Sequence, residues 1–578
     1  MTWFVTEHHS GAETNVVATT EDFSLDQEND AGSIRIADGV VEVDSIRDES
    51  DAWALQLRSP RLQTRLQKGD VICVRFEAVS EATVWSDNDE PVPRSVSVTV
   101  AQSEPFLAIQ GNGGYRTALV PTSWHPFALC FRSDREFSAG SVSVALHLAG
   151  QRGRIRIRGL RVTSHGQASD EQLPQSPLYY PSEFADDAWR QQADERISRI
   201  RMTDLKVQVI DRTGQPVRDA TLRVRQRRHA YAFGTFVGET PIKDDVGVER
   251  FRAQTKKWFN RITLPRYWAD WGTDTPDGAE RADRVAAWGN ANEFELKVHV
   301  LLYPLFLPDR VKEMVDRPNE YRAAIQASMD DALRRTKRIR IAAWDAINEL
   351  RDVTTVADAL GHDFYAHVFN HADAKQPDAR WFLNEYGILT GGSKRREYLD
   401  GYIRQIRSIR ADGGKIEGIG LQGHFSESLI SMPEVWRTLD ELKVFGLPIE
   451  ITEFDVDTSD LRTQARFTRD FLTAVFAHPA TTGLTVWGFW EGDMWRPRGA
   501  MFTTDWQRKP NGKVWEDLVF RKWWTDETVS TDSFGRAQIR VFKGDHDIEA
   551  IVEGQRVVRS VRVHGPTELK IQCSPLGE

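Results

Sequence analysis

The sequence predicts a multidomain chain centred on a (β/α)8 TIM barrel, with an N-terminal β-sandwich of jelly-roll type and small β appendages. Three observations carry this. Between residues 231 and 524, eight short apolar runs alternate with helical patterns, and parallel strands buried on both faces read as such continuous runs. Before residue 165 the hydrophobic period is two, with turn clusters between segments. That is the pattern of strands with one face on a core and one in water. Finally, 578 residues leave room for about three to five domains at roughly 150 residues each.

Taken in order, residues 1–165 form the expected sandwich. SVSVTVAQ (95–102), GSVSVALHLAG (140–150) and RGRIRIRGLRV (152–162) alternate, and turn clusters near Ser86 and Gly111 separate strands. Residues 166–230 read as a linker, rich in Ser, Pro and Gln over 164–182, followed by a hairpin over 205–226 with its turn at 212–216. The barrel spans 231–524. Its expected strands are 231–237, 261–264, 297–303, 342–348, 380–386, 418–424, 448–455 and 483–490, with helical patterns such as 319–338, 396–409 and 461–476 between them. A doubly wound sheet competes, but eight β–α units in this length favour the barrel. Residues 525–578 read as a small C-terminal β appendage.

Composition narrows the function. Apolar residues are 40%, aromatics 10% and charged residues 28%, which is globular. No window approaches 18 apolar residues, so no membrane span is expected. A net charge of −10 argues against nucleic acid as a partner. Three cysteines, Cys73, Cys130 and Cys573, make neither a disulfide framework nor a Cys-rich zinc site. The first residues lack the basic and apolar regions of a signal peptide. Tryptophan is in excess: 19 residues against roughly 7 or 8 on ordinary usage. Seven fall between Trp487 and Trp524. Indoles pack cores, and they also stack on sugar rings.

In a barrel, chemistry gathers at the C-terminal strand ends. Those ends offer His299 and Tyr303 (third strand), Asn348 and Glu349 (fourth), Asn384 and Tyr386 (fifth), Gln422 and His424 (sixth), Glu453 and Asp455 (seventh), and Trp487 (eighth). Trp490, Glu491, Trp495 and Arg496 follow in the next loop. Two carboxylates flanked by amides, a histidine and indoles are the equipment of glycoside hydrolysis. One carboxylic acid protonates the departing oxygen, the other attacks or activates water, and aromatic faces hold the rings.

These residues resemble the glycoside hydrolase family 10 xylanases. Trp344-Asp345-Ala346-Ile347-Asn348-Glu349 matches the family's acid/base motif, and Ile451-Thr452-Glu453-Phe454-Asp455-Val456 is similar to its nucleophile motif. Gly418-Ile419-Gly420-Leu421-Gln422-Gly423-His424 looks like its sixth strand, and Trp487 and Trp495 stand eight apart as in its eighth. The resemblance implies a retaining endo-β-1,4-xylanase with no cofactor and no metal. Glu349 would be the acid/base and Glu453 the nucleophile. Asn348 would bond the sugar 2-hydroxyl, and His424 would stand between Glu453 and Asp455. His299, Tyr386, Gln422, Trp487, Trp495 and Arg496 would contact substrate. The partner would be a polysaccharide, xylan or a related β-glycan, and the chain a monomer that meets it outside the cell or in the periplasm.

The departures fall on the glycone side. Pro265 and Arg266 stand where the family has Glu and Asn, Ala269 where it has Lys, and Tyr303-Pro304 where it has Trp-His. So a different β-glycan or a decorated xylo-oligosaccharide is an alternative substrate. A non-catalytic carbohydrate-binding protein is the alternative from another class, and the retained Glu pair argues against it. The N-terminal region looks like a carbohydrate-binding module. Trp53, Trp85 and Trp124 are candidate contacts there, with packing the commoner role. Trp515, Trp523 and Trp524 are expected to pack. Gly418-x-Gly420-x-x-Gly423 spells a dinucleotide fingerprint but opens no helix. His367 and His371, four apart, lack a third metal ligand.

Overall fold

The computed structural model describes residues 15–27, 31–45, 52–81, 94–110, 115–149, 152–169, 172–174, 180, 188–245, 247–268, 276–351, 353–390, 392–426, 429–458 and 460–573. Trp85, Ala269 and the turns expected near Ser86 and Gly111 lie outside the described residues or at their edge.

Eight strands close into a parallel barrel in chain order. They are β1 (Ala232–Phe236), β2 (Arg261–Pro265), β3 (Glu295–Leu302), β4 (Ile341–Asn348), β5 (Arg380–Glu385), β6 (Gly418–Phe425), β7 (Ile449–Val456) and β8 (Thr481–Val486). Closure comes from β8 pairing with β1, Gly483 opposite Ala232. The outer ring is α1 (Val248–Trp258), α2 (Pro276–Ala291), α3 (Pro318–Thr336), α4 (Asp363–Lys375), α5 (Arg395–Ala411), α6 (Met432–Lys443), α7 (Leu461–Phe476) and α8 (Pro510–Asp517). The apolar strand runs bury their outward side chains under these helices. Trp344 and Trp381, fully buried on neighbouring strands, stack 5.9 Å apart. Trp515 and Trp523 are also buried in this core.

Inside the barrel, charge replaces part of the usual branched-aliphatic packing. Arg261, Lys297, Asp345 and Glu450 are all buried. Arg261 pairs with Glu450 at 2.6 Å, and Lys297 bridges Glu450 (3.4 Å) and Asp345 (2.9 Å). Alternating signs at hydrogen-bonding distance are what make such burial tolerable.

Among the described residues, the N-terminal region is a sandwich of two six-stranded sheets around its own apolar core. Cys73 and Cys130, opposite each other on paired strands, form a disulfide, a single bond that the cysteine count alone does not suggest. On the outer face, the Arg158 guanidinium lies 4.2 Å from the Trp124 ring, so Trp124 is covered. Trp53 is exposed. The sandwich meets the barrel near its C-terminal mouth, where a Cβ on Gly392 would lie 3.9 Å from Thr117.

Two parts of the sequence-based division need correction. The hairpin expected over 205–226 and the tail after 525 are not separate appendages. Met202–Ile210 pairs with Arg536–Phe542 and Thr567–Gln572, and Thr221–His229 pairs with Asp526–Ser530 and Gly544–Val552. Together they enclose one apolar core. An isolated hairpin is marginal in water, so each half needs the other, although the whole barrel lies between them in sequence. The expected linker also contains structure. Ala188–Arg201 is a helix, and Tyr180 is buried, donating to Asp470 on α7 at 2.9 Å.

Candidate active site

The C-terminal ends of β3 to β8 bring the candidate residues together. Glu349 follows β4 with φ of 54°, a conformation that non-glycine residues rarely hold outside functional or turn positions. Its N–H donates to the Asn384 carbonyl at 3.0 Å. Its carboxylate accepts from the Tyr303 hydroxyl on Oε2 and from Gln422 Nε2 at 2.7 Å on Oε1. Burial raises its pKa; the two donors oppose that rise and the charge of Glu453 adds to it.

Glu453, buried on β7, sits in a different environment. Oε1 accepts from Asn384 Nδ2 at 2.8 Å, and Oε2 lies 3.0 Å from His424 Nε2. The other His424 nitrogen is 2.7 Å from Asp455 Oδ2. Burial pushes the His424 pKa down, but Asp455 and Glu453 outweigh it and hold it at about 9. His299 lies 4.0 Å from Glu453 and 2.8 Å from Asp345. Burial lowers its pKa too, and its carboxylate neighbours more than reverse the effect. Near neutral pH, therefore, a cationic imidazole sits between Glu453 and Asp455, while burial shifts Glu349 toward the protonated form relative to an ordinary carboxylate.

Amides join the two carboxylates. Asn384 Nδ2 also donates to Asn348 Oδ1 at 2.8 Å, and Thr452 Oγ1 donates to Asn384 Oδ1 at 2.6 Å. Glycine is required at 420, because a Cβ there would come within 2.4 Å of Asn384 Oδ1. The glycine pattern on β6 thus serves side-chain packing.

The remaining candidates divide. Trp487 is buried, with ring contacts to Phe236 (4.4 Å) and His299 (5.1 Å). Trp495 is 57% exposed; it packs edge-on to His424 and donates to Asp455 at 3.2 Å. Arg496 stacks on Trp495 and lies 3.6 Å from Asp455. Tyr386 is set apart from the Glu pair's hydrogen-bond network, its ring 3.9 Å from the Arg351 guanidinium. Arg266 is drawn away. It is buried, 3.2 Å from Asp283 on α2, and belongs to the barrel wall. His367 and His371 bond Gln326 and Asp330 on α3, and no metal-binding cluster of His, Cys, Asp or Glu is present among the described residues.

Sequence reading passed over Lys297 and Glu450, the inner links that reach His299 through Asp345. The available signal was a charged residue inside an otherwise apolar run, at a position that points into the barrel.

Residues 249–515 match the family model described as glycosyl hydrolase family 10. The barrel is a glycosyl hydrolase family 10 domain. Among curated proteins, the chain is 28% identical over 374 residues to anti-sigma-I factor RsgI6 of Acetivibrio thermocellus, a match covering 64% of this chain and 47% of that protein. It is 26% identical over 358 residues to endo-1,4-beta-xylanase 1 of Arabidopsis thaliana, covering 61% and 37%. The chain thus spans less than half the length of these relatives. Among solved structures, a xylanase 10C variant from Cellvibrio japonicus in complex with xylopentaose covers 87% of this chain and 98% of its own, at 14% identity and a TM-score of 0.45. Outside the matched segment lie the sandwich and the two-sheet unit built from both flanks of the family 10 domain.

Proposed function

We propose that the family 10 domain is a retaining, endo-acting glycoside hydrolase that cleaves β-1,4-linked xylan. The observation that carries this reading is the contrast between the two carboxylates: Glu349 has a raised pKa and Glu453 lies between two imidazoles. A double displacement needs that difference. Glu453 attacks the anomeric carbon as a carboxylate, the glycosidic C–O bond breaks, and Glu349 gives its proton to the leaving oxygen. Glu349, now a carboxylate, takes a proton from water. The water oxygen then displaces Glu453 from the anomeric carbon, with retention of configuration. Asn348 and Asn384 bond sugar hydroxyls and the nucleophile, and Trp487 and Trp495 wall the reacting ring.

A second substrate reading rests on Arg266. With this side chain held by Asp283, the glycone side is lined by Tyr267, Tyr303 and Phe306, so a decorated xylo-oligosaccharide or another β-glycan becomes the preferred substrate. The sandwich serves as a carbohydrate-binding module, and the protein works as a monomer outside the cell or in the periplasm. The Cys73–Cys130 bond supports an oxidising compartment.

The test is Glu453→Ala assayed on a panel of β-glycans. Turnover should vanish while polysaccharide binding persists, and wild-type products should first appear with the β-anomer. Inverted products, or full activity in the variant, would sink the mechanism; equal wild-type rates on plain xylan and every other β-glycan would sink the altered preference.

A further inference from the structure

A cavity lies at the opposite end of the barrel from the Glu pair. It has a volume of about 640 Å3, within the range of small-ligand sites. Asn260 and Phe294, which line it, immediately precede β2 and β3, and His229 stands three residues before β1, so it sits at the N-terminal ends of the strands. Its other wall, including His546 and Arg562, comes from the two-sheet unit.

Two features of this cavity point to one ligand chemistry. The first is charge. Arg227, Arg228, Lys256, Lys257 and Arg562 line it against only Glu293 and Asp545, in a chain of net charge −10. Arg562 is paired with Asp545 and Arg227 with Asp547, but Arg228 donates to the backbone carbonyls of Glu293 (2.9 Å) and Asn260 (2.5 Å), with no carboxylate paired to it among the described residues. Lys256 and Lys257, on the last turn of α1, complement the helix dipole and have no ion-pair partner among the described residues. The second feature is the half-buried indole of Trp524, held by ring contacts to His229 and Phe520.

We propose that this cavity binds a carboxylate-bearing sugar, a uronic acid. The cations take the carboxylate, and Trp524 takes the apolar face of the ring. An inorganic anion would use only the first feature and a neutral sugar only the second. The site is independent of the catalytic reading above, because it shares no residue with the cleft.

Methyl glucuronide, methyl xyloside and inorganic phosphate, titrated into the full chain by calorimetry and ligand-observed NMR, test this. Methyl glucuronide should bind saturably and equally well to wild type and Glu453→Ala. Its affinity should fall about tenfold or more in Lys256→Glu/Lys257→Glu and in Trp524→Ala. Should Trp524→Ala fail to fold, the exposed lysine pair keeps the test. No saturable binding, or binding that neither variant weakens, overturns the proposal. So does equal binding of methyl xyloside, or full displacement by equimolar phosphate, which would mark a plain anion patch.

Discussion

Replacing Tyr303 by Phe removes one of the two side-chain donors to the Glu349 carboxylate while keeping the ring that packs on Phe306 at 4.7 Å. A hydrogen bond to a charged group contributes about 1.5–3 kcal/mol. At about 1.4 kcal/mol per pH unit, its loss should raise the Glu349 pKa further by about 1–2 units. The sign follows from the role. A general acid works protonated, so activity falls as pH rises through its pKa. Burial already raises that pKa, and the Tyr303 bond holds it down. The basic limb of kcat/KM against pH should therefore move upward in Tyr303→Phe, with a lower plateau because Glu349 is held by Gln422 alone. The assay is initial-rate hydrolysis of a chromogenic xylo-oligosaccharide across the pH range. A basic limb that stays in place, or moves to lower pH, would refute the assignment of Glu349 as the acid.

Three further outcomes are expected. Gly420→Ala would push a methyl group to within 2.4 Å of Asn384 Oδ1 and displace the amide that bonds Glu453. kcat should drop by about a hundredfold, and steady-state kinetics showing wild-type kcat would contradict the network described. Lys297→Met should destabilise the fold by about 3–5 kcal/mol, because it leaves Asp345 and Glu450 buried with less compensation; urea unfolding reads this, and an unchanged midpoint and slope would mean the inner ion chain carries little. Trp495→Ala, at a side chain 57% exposed, should leave the melting temperature unchanged and raise KM about tenfold, equivalent to about 1.4 kcal/mol; an unaltered KM would remove Trp495 from the sugar site.

The barrel was legible because its strands are continuous apolar runs, and each of the eight expected runs overlaps an observed strand. The strand ends were legible for the same reason: once a run is placed, its last residues face the mouth. What sequence could not supply was pairing across long separations. Val207 meets Leu569, 362 positions apart, and nothing local in either strand names its partner. The buried charges were hidden differently. Lys297 and Glu450 read as surface residues by type, and only the closed barrel turns them toward each other. The aromatic excess also separated only in space, into stacked core indoles such as Trp344 and Trp381 and the exposed Trp495.

The departures at the glycone side fit together once Arg266 is located. Its pairs with Asp283 (3.2 Å) and Asp331 (3.9 Å) hold the end of β2 against α2 and α3 and engage the guanidinium within the barrel wall. The position beyond it, Tyr267, turns its ring toward His299 (5.3 Å), Phe306 (5.7 Å) and Tyr303 (6.5 Å). That wall also carries the hydroxyl bonded to Glu349. Under the proposed function, recognition on this side and the protonation of the acid are coupled through one residue. A substrate that displaces Tyr303 from Glu349 would raise the acid's pKa as it binds, whereas one that leaves it in place would not. Under the proposed mechanism the preferred glycan should differ from a poor one in kcat as well as in KM, since Tyr303 bonds the proposed acid and packs against Tyr267 and Phe306.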